Sequence, residues 1–260
     1  MEKIIKYPRT PHMSGSRLQQ GDEDLSQIPF AKILGKHIVV EEKVDGANVA
    51  VSFNEDGELL LQSRGHFLTG GRRERDYDLF KIWAATRRDM LFDILTDRYI
   101  LYGEWLYVKH KVYYDALPAY FMEFDILDKT TGEFLDTDRR REMLKDTDIV
   151  SVPVLGEGVF KTQAEILKYI GKSLYFTENR WENLRAEAAR VGLPFEEIMQ
   201  ETDKSDFMEG LYIKVEEDGK VVGRMKYVRY GYVQSAGVAD GEWLKKPIVQ
   251  NKLKEGAEAF

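Results

Sequence analysis

Lys43-Val44-Asp45-Gly46 is the stretch of this chain best suited to covalent chemistry. The β-branched run Val39-Val40 leads into it and the alternating run Ala47 to Phe53 leaves it. A lysine at the inner end of a strand is expensive to desolvate, so one that points inward is either ion-paired or used as a nucleophile. Asp-Gly between apolar runs is also the ordinary signature of a hairpin turn. Further polar residues interrupt apolar, strand-like frames downstream. They are Ser63-Arg64-Gly65, Tyr102-Gly103-Glu104, Phe121 to Leu127 with Glu123 and Asp125, Glu209-Gly210, and Gly223-Arg224-Met225-Lys226. Arg224 and Lys226 are two residues apart and so face one side of a strand. Singly, each of these residues also fits a charge placed at a strand edge to block aggregation.

The elements that position these residues follow from hydrophobic pattern. Strands are expected at 37–43, 47–53 and 59–63, with Asn54-Glu55-Asp56-Gly57 turning the last pair. Gly65, Gly70 and Gly71 mark a loop. Leu79, Ile82, Trp83, Met90, Leu91 and Ile94 predict one helix over 79–95. Strands are expected again at 99–105 and 119–127. Helices are expected at 136–145, from Thr162 to about 170 with Glu165 completing a capping box, at 179–191 and at 194–202. A final hairpin spans 210–229 around Glu217-Asp218-Gly219. Pro8 and Pro11 keep the start of the chain non-helical, and a long irregular leader tends to wrap a core. The tail from Gly237, with its apolar cluster at Trp243, is expected to end in a loosely packed helix. The predicted fold class is α+β, with antiparallel sheets and inserted helices. It divides into a leader (1–36), a core domain (37–235) with a helical insert at about 136–205, and a tail (236–260).

The 260 residues suffice for one large domain with a sizeable core, being 43% hydrophobic and 12% aromatic. No apolar run approaches the roughly 18 residues of a membrane span, and the first residues lack the apolar region of a secretory signal. A cytoplasmic protein is expected. The absence of cysteine excludes disulfides, thiolate metal sites and a cysteine nucleophile. His12, His37, His66 and His110 lack metal-ligand spacing. A net charge of -7 argues against a purely electrostatic nucleic-acid binder but leaves room for a local basic groove. Candidate patches are Arg72-Arg73-Glu74-Arg75, Lys109-His110-Lys111 and Arg139-Arg140-Arg141, the last expected to be a solvated helix face.

In their order along the chain, these residues resemble the covalent nucleotidyltransferase superfamily of ATP-dependent ligases and capping guanylyltransferases. Lys43-Val44-Asp45-Gly46 matches the lysine motif. Ser63-Arg64-Gly65, Tyr102-Gly103-Glu104, Phe124-Asp125, Glu209-Gly210 and Arg224-Met225-Lys226 match the five motifs that follow, over roughly 37–230. Asn48 makes the chain similar to the nick-sealing RNA ligases in particular. The fold implied is a nucleotidyltransferase (ATP-grasp-like, ligase adenylation) domain. Two departures stand out. Arg224 occupies a position that is usually lysine, and the chain beyond Lys226 is too short for the OB-fold of DNA ligases and capping enzymes.

The resemblance implies an ATP-dependent RNA ligase using Mg²⁺ or Mn²⁺. Its RNA partner carries 5′-phosphate and 3′-hydroxyl ends, nicked or bridged, and any partner enzyme that heals those ends is unspecified. The alternatives are a DNA nick ligase, a capping-type guanylyltransferase, or an inactive nucleotide- or RNA-binding module. Implied roles are Lys43 as the adenylylated nucleophile, and Asp45 and Asn48 as positioning groups for the lysine, phosphate or metal. Glu104 and Glu209 are implied for metal and ribose, Arg64 for ribose or an end phosphate, Phe124 for stacking on adenine, and Arg224 and Lys226 for phosphate. Glu41 or Glu42 is implied to contact the purine amino group, with strand alternation admitting only one of them. Neighbouring cations are expected to lower the pKa of Lys43. Arg72, Arg73, Arg75, Lys109 and Lys111 are candidates for RNA phosphate contact. Tyr107 and Tyr113 are candidates for stacking, and Thr10, His12 and Ser16 for contact from the leader.

Overall fold

Period-two alternation gives most strands one face for a helix-covered core and one for a polar seam. The computed structural model describes residues 3–18, 21–22, 24–232 and 247–259. In chain order the strands are β1 (His12–Met13), β2 (Gln27–Ile28), β3 (His37–Lys43), β4 (Ala47–Phe53), β5 (Leu59–Ser63), β6 (Tyr99–Trp105), β7 (Phe121–Asp128), β8 (Glu133–Phe134), β9 (Val150–Ser151), β10 (Val154–Gly158), β11 (Gly210–Glu217) and β12 (Lys220–Val228). The helices are α1 (Asp78–Thr86), α2 (Arg88–Leu95), α3 (Thr137–Leu144), α4 (Gln163–Leu167), α5 (Arg180–Val191) and α6 (Phe195–Gln200). One sheet runs β10-β3-β11-β12-β1-β2, and the other runs β5-β4-β6-β7-β8 with β9 paired to β7. The fold is therefore α+β, as the pattern predicts. None of the described helices is long and apolar enough to cross a membrane.

The odd residues Val49, Val51 and Phe53 of β4 pack with Leu101, Ile126 and the α1–α2 residues Phe80, Trp83, Leu91 and Leu95. The even residues Ile38 and Val40 of β3 join Leu211, Ile213, Val215, Met13 and Ile166 of α4 in a second core. The opposite faces meet across a buried ionic seam. Arg140 Nη2 lies 2.8 Å from Glu41, and its Nη1 lies 2.7 Å from Glu123. Lys214 Nζ sits 3.0 Å from Glu41 and 3.2 Å from Asp125. Burying charge is tolerable only when it is paired and hydrogen-bonded, and here each carboxylate faces at least one cation.

Several expectations are corrected. The Asp45-Gly46 turn does not join a hairpin, because β3 and β4 belong to different sheets and the lysine stretch carries the chain between them. Gly46 is needed for close approach: a Cβ there would lie 2.6 Å from the Trp105 carbonyl oxygen. The helix over 79–95 is two helices parted at Arg87, where the Thr86 hydroxyl bonds back to the Trp83 carbonyl and competes with the helix ladder. Arg140 is 3% exposed rather than solvated, because it is the residue of its triplet that faces the seam. The helical insert also holds β9 and β10, and β10 flanks the lysine strand. The leader contributes β1, parallel to β12, and the short β2. The predicted tail helix around Trp243 lies outside the described residues. Residues 247–259 run without helix, bridging Val108 and Leu117.

Candidate active site

Lys43 closes β3 opposite Gly210, the first residue of β11, so Glu209 arrives beside it. Gly210 allows this approach, since a Cβ would stand 1.9 Å from the Tyr227 carbonyl oxygen. Lys43 Nζ donates to Glu209 Oε2 at 2.7 Å. Glu104 comes from β6, opposite Asn48 of β4, and its Oε1 accepts the Gly46 N–H at 3.0 Å. A cavity of about 410 Å³ opens here. It is lined by the expected residues Glu41, Glu42, Lys43, Asn48, Arg64, Glu104, Phe124 and Lys226.

Lys43 is the reverse of the expected case. Burial alone would lower its pKa, but Glu209, Glu104 and Asp45 outweigh burial and raise it, so the ligand-free chain holds an ammonium ion. Burial in turn raises the Glu104 carboxyl to about 7 against the pull of Lys43. Burial likewise raises Glu209, although its ion pair with Lys43 favours the charged form. The site thus has a crowded carboxylate side with one cation in its midst.

Three expected residues do not line the cavity. The Asp45 carboxylate accepts the backbone N–H groups of Lys111 and Val112, both at 2.7 Å, and so fixes the 110–112 loop against the lysine stretch. Arg224 precedes Lys226 by two residues on β12 and lies 4.0 Å above the Phe134 ring and 3.6 Å from Asp125, where it completes the ionic seam. Glu209 sits behind Lys43, 1% exposed.

None of Arg72, Arg73, Arg75, Lys109 and Lys111 lines this cavity. Arg72 and Arg73 are exposed on a short turn, while Arg75 pairs with Asp76 at 3.2 Å. Arg75 and Lys109 line a second cavity of about 210 Å³ with His110, Glu197 and Glu201. Burial lowers Lys109 to about 8. Lys111 meets the site only through its backbone N–H. Tyr113 is 1% exposed and packs in the core beside α5, so it presents no stacking face to solvent.

Sequence reasoning missed Tyr7, Tyr77, Val152 and Tyr212, which also line the cavity. Tyr7 reaches across from the leader, bonding Asp125 and, at 2.7 Å, the Tyr212 hydroxyl, which meets Thr10 at 2.9 Å. No local pattern marks these contacts, because they join residues 118, 205 and 202 positions apart. Thr10 lines the cavity, whereas His12 and Ser16 are buried behind it.

Alternation places Glu41 on the face of Lys43 and Glu42 on the opposite face, where Glu42 accepts from Ser173 Oγ at 2.5 Å and from the Leu174 N–H. Burial raises the Glu42 carboxyl to about 7. A carboxyl with a folded pKa above its ordinary value favours folding below that value, and the contribution is lost as pH rises through about 7. Glu42→Gln is therefore expected to stabilise the chain at pH 8, by up to about 3 kcal/mol, and much less at pH 5. Urea unfolding at the two pH values checks this; equal effects at both would show that Glu42 is not held protonated.

Residues 36–228 match the family model described as RNA ligase. No curated protein matches the chain in sequence. Among solved structures, an archaeal ATP-dependent RNA ligase is similar at a TM-score of 0.53 and 17% identity, over 88% of this chain and 49% of that one. A Naegleria gruberi RNA ligase with PPi gives 0.50 and 20%, over 87% and 61%. A lysine-to-methionine variant of the Naegleria gruberi enzyme with AMP and Mn gives 0.50 and 17%, over 87% and 62%. The chain spans about half to three-fifths of the length of these proteins. The likeness in fold agrees with the matched family model, which covers most of the chain, and on that match the chain belongs to the RNA ligase family.

Proposed function

We propose that the chain is an ATP-dependent RNA ligase that joins a 3′-hydroxyl to a 5′-phosphate. The intermediates are a lysyl-AMP on Lys43 and an adenylylated 5′ end. The observation that carries this reading is Lys43 Nζ, 2.7 Å from Glu209, in one cavity with Glu104, Phe124 and Lys226.

In the first step the Lys43 amine attacks the α-phosphorus of ATP, the bond to the bridging oxygen breaks, and pyrophosphate leaves. The ammonium must first lose a proton, and Glu209 Oε2 already stands in hydrogen-bond contact to receive it. A 5′-phosphate oxygen of the RNA then displaces the lysine from AMP, and Lys43 regains a proton. Finally the 3′-hydroxyl attacks the 5′-phosphate, gives up its proton, and AMP leaves. Lys226 faces the cavity as the cation for the phosphates.

Phe124 and Tyr212 line the cavity as faces for the purine. Glu41 Oε2 and Asn48 Oδ1 are buried acceptors without a hydrogen-bond partner among the described residues, which suits them to amino or hydroxyl groups of a nucleoside. Glu41, rather than Glu42, is therefore assigned to the purine amino group. No three His, Cys, Asp or Glu side chains cluster as a metal site among the described residues. Glu104 and Glu209 nevertheless suit Mg²⁺ or Mn²⁺, since Mg²⁺ commonly takes one or two carboxylates together with substrate phosphates and water. Both carboxyls are raised by burial, a strain that a divalent charge relieves. When bound, such an ion supplies neutralising charge to the triphosphate.

Incubating the chain with ATP or GTP labelled at the α-phosphate, with Mg²⁺ or Mn²⁺, tests this. The expected result is label from ATP that stays on the protein through denaturing electrophoresis. No label from either nucleotide would overturn the reading. Sealing of all-DNA nicks as well as RNA nicks would overturn the assignment to RNA.

A further inference from the structure

The leader brings an acid onto the cation that the proposed reaction needs. In the parallel pairing of β1 with β12, His12 stands opposite Lys226. Lys226 Nζ is ion-paired with Asp22 Oδ2. The same oxygen lies 3.1 Å from His12 Nε2, and Arg9 Nη2 approaches Oδ1 at 3.5 Å. His12 Nδ1 is 2.7 Å from Ser16 Oγ, which also accepts the Val228 N–H at 2.9 Å.

These contacts fix the direction of every proton. An ionised carboxylate only accepts, so His12 carries its proton on Nε2, toward Asp22. Burial lowers the His12 pKa and keeps the ring neutral, so Nδ1 accepts from the Ser16 hydroxyl. His12 is 0% exposed and cannot swing away. Asp22 is thus held from behind by a neutral imidazole anchored on the β12 backbone, and it presents one oxygen to Lys226.

Lys226 has reason to need such a holder. A lysine side chain has about 2 kcal/mol of rotamer entropy to lose when it is fixed in one place. Lys43 repels it across the cavity, with Glu209 as a counter-charge and Tyr212 opposite on β11.

We propose that Asp22, oriented by His12 and Ser16, is a positioning residue that holds the Lys226 ammonium at the cavity wall for the phosphates of the nucleotide. The inference rests on the ligase reading and extends it: the leader is part of the reaction machinery, acting through Lys226.

The test measures the rate of lysyl-adenylate formation against ATP concentration in Asp22→Asn and Asp22→Glu, with thermal melts of both. The expected result for Asp22→Asn is a kcat about tenfold lower, since hydrogen bonds to charged groups contribute on this scale. KM and the melting temperature should stay close to wild type, and Asp22→Glu should recover most of the rate. A wild-type chain that forms no adduct overturns the ligase reading and this inference with it. A wild type that forms adduct while Asp22→Asn matches or exceeds its kcat overturns this inference alone. A kcat that follows the melting temperature across both variants assigns Asp22 a structural role and overturns it as well.

Discussion

Lys43→Arg is expected to abolish covalent labelling from α-labelled ATP, by a factor on the order of 10⁴ or more, as loss of a nucleophile does elsewhere. Arginine keeps the positive charge beside Glu209 and so leaves the melting transition nearly unchanged, but a guanidinium does not deprotonate in a protein and cannot attack phosphorus. Residual labelling in the variant would mean that another group carries AMP. In the wild type, labelling should rise with pH across the range from about 6 to 9, for two reasons of the same sign. Only the neutral amine attacks, and the carboxylates hold Lys43 charged beyond its ordinary range. Glu104, raised to about 7 by burial, takes up a proton as pH falls and stops acting as an anion. A flat profile would place the proton loss from Lys43 outside the limiting step.

Arg140→Met should be the most destabilising change on α3. It leaves Glu41 and Glu123, each 0% exposed, without the cation that bridges them. Removing one partner from a buried ion pair costs about 3–5 kcal/mol, because the remaining charge cannot be solvated. Urea unfolding checks it through the midpoint at constant slope. Arg140→Lys should recover only part of the loss, since an ammonium cannot present the planar fork that meets two carboxylates and the Phe124 carbonyl at once. A cost below about 1 kcal/mol would show that Lys214 and Ser151 already satisfy those acids.

Much of the frame was legible because it is written locally. The alternation that defined β3, β4 and β6 came from side chains two apart, and it delivered Lys43 and Glu104 to strand ends where they meet. The lysine motif is legible too, but not its turn: Asp-Gly looks alike in a hairpin and in a crossover, and only the partner strands distinguish them. Arg140 could not be told from Arg139 or Arg141, since burial depended on a seam built by three other segments. The cations of the motif set suggest a lowered pKa for Lys43, whereas Glu209 before β11, Glu104 on β6 and Asp45 in the adjoining loop decide its charge state. Tyr7 and Asp22 carry no local signal for the cavity, because they meet Tyr212 and Lys226 across 205 and 204 residues.

The pairing of β1 with β12 also sets an order of events during synthesis. Lys43 waits for Glu209, Tyr7 for Tyr212, and Asp22 for Lys226, at separations of 166, 205 and 204 residues. Contacts that distant close late, after local hairpins and helices have formed. A nascent chain on the ribosome therefore exposes its leader and lysine strand while β11 and β12 are still unmade. Tyr212 and Lys226 line the cavity, so it cannot close before β11 and β12 have been made.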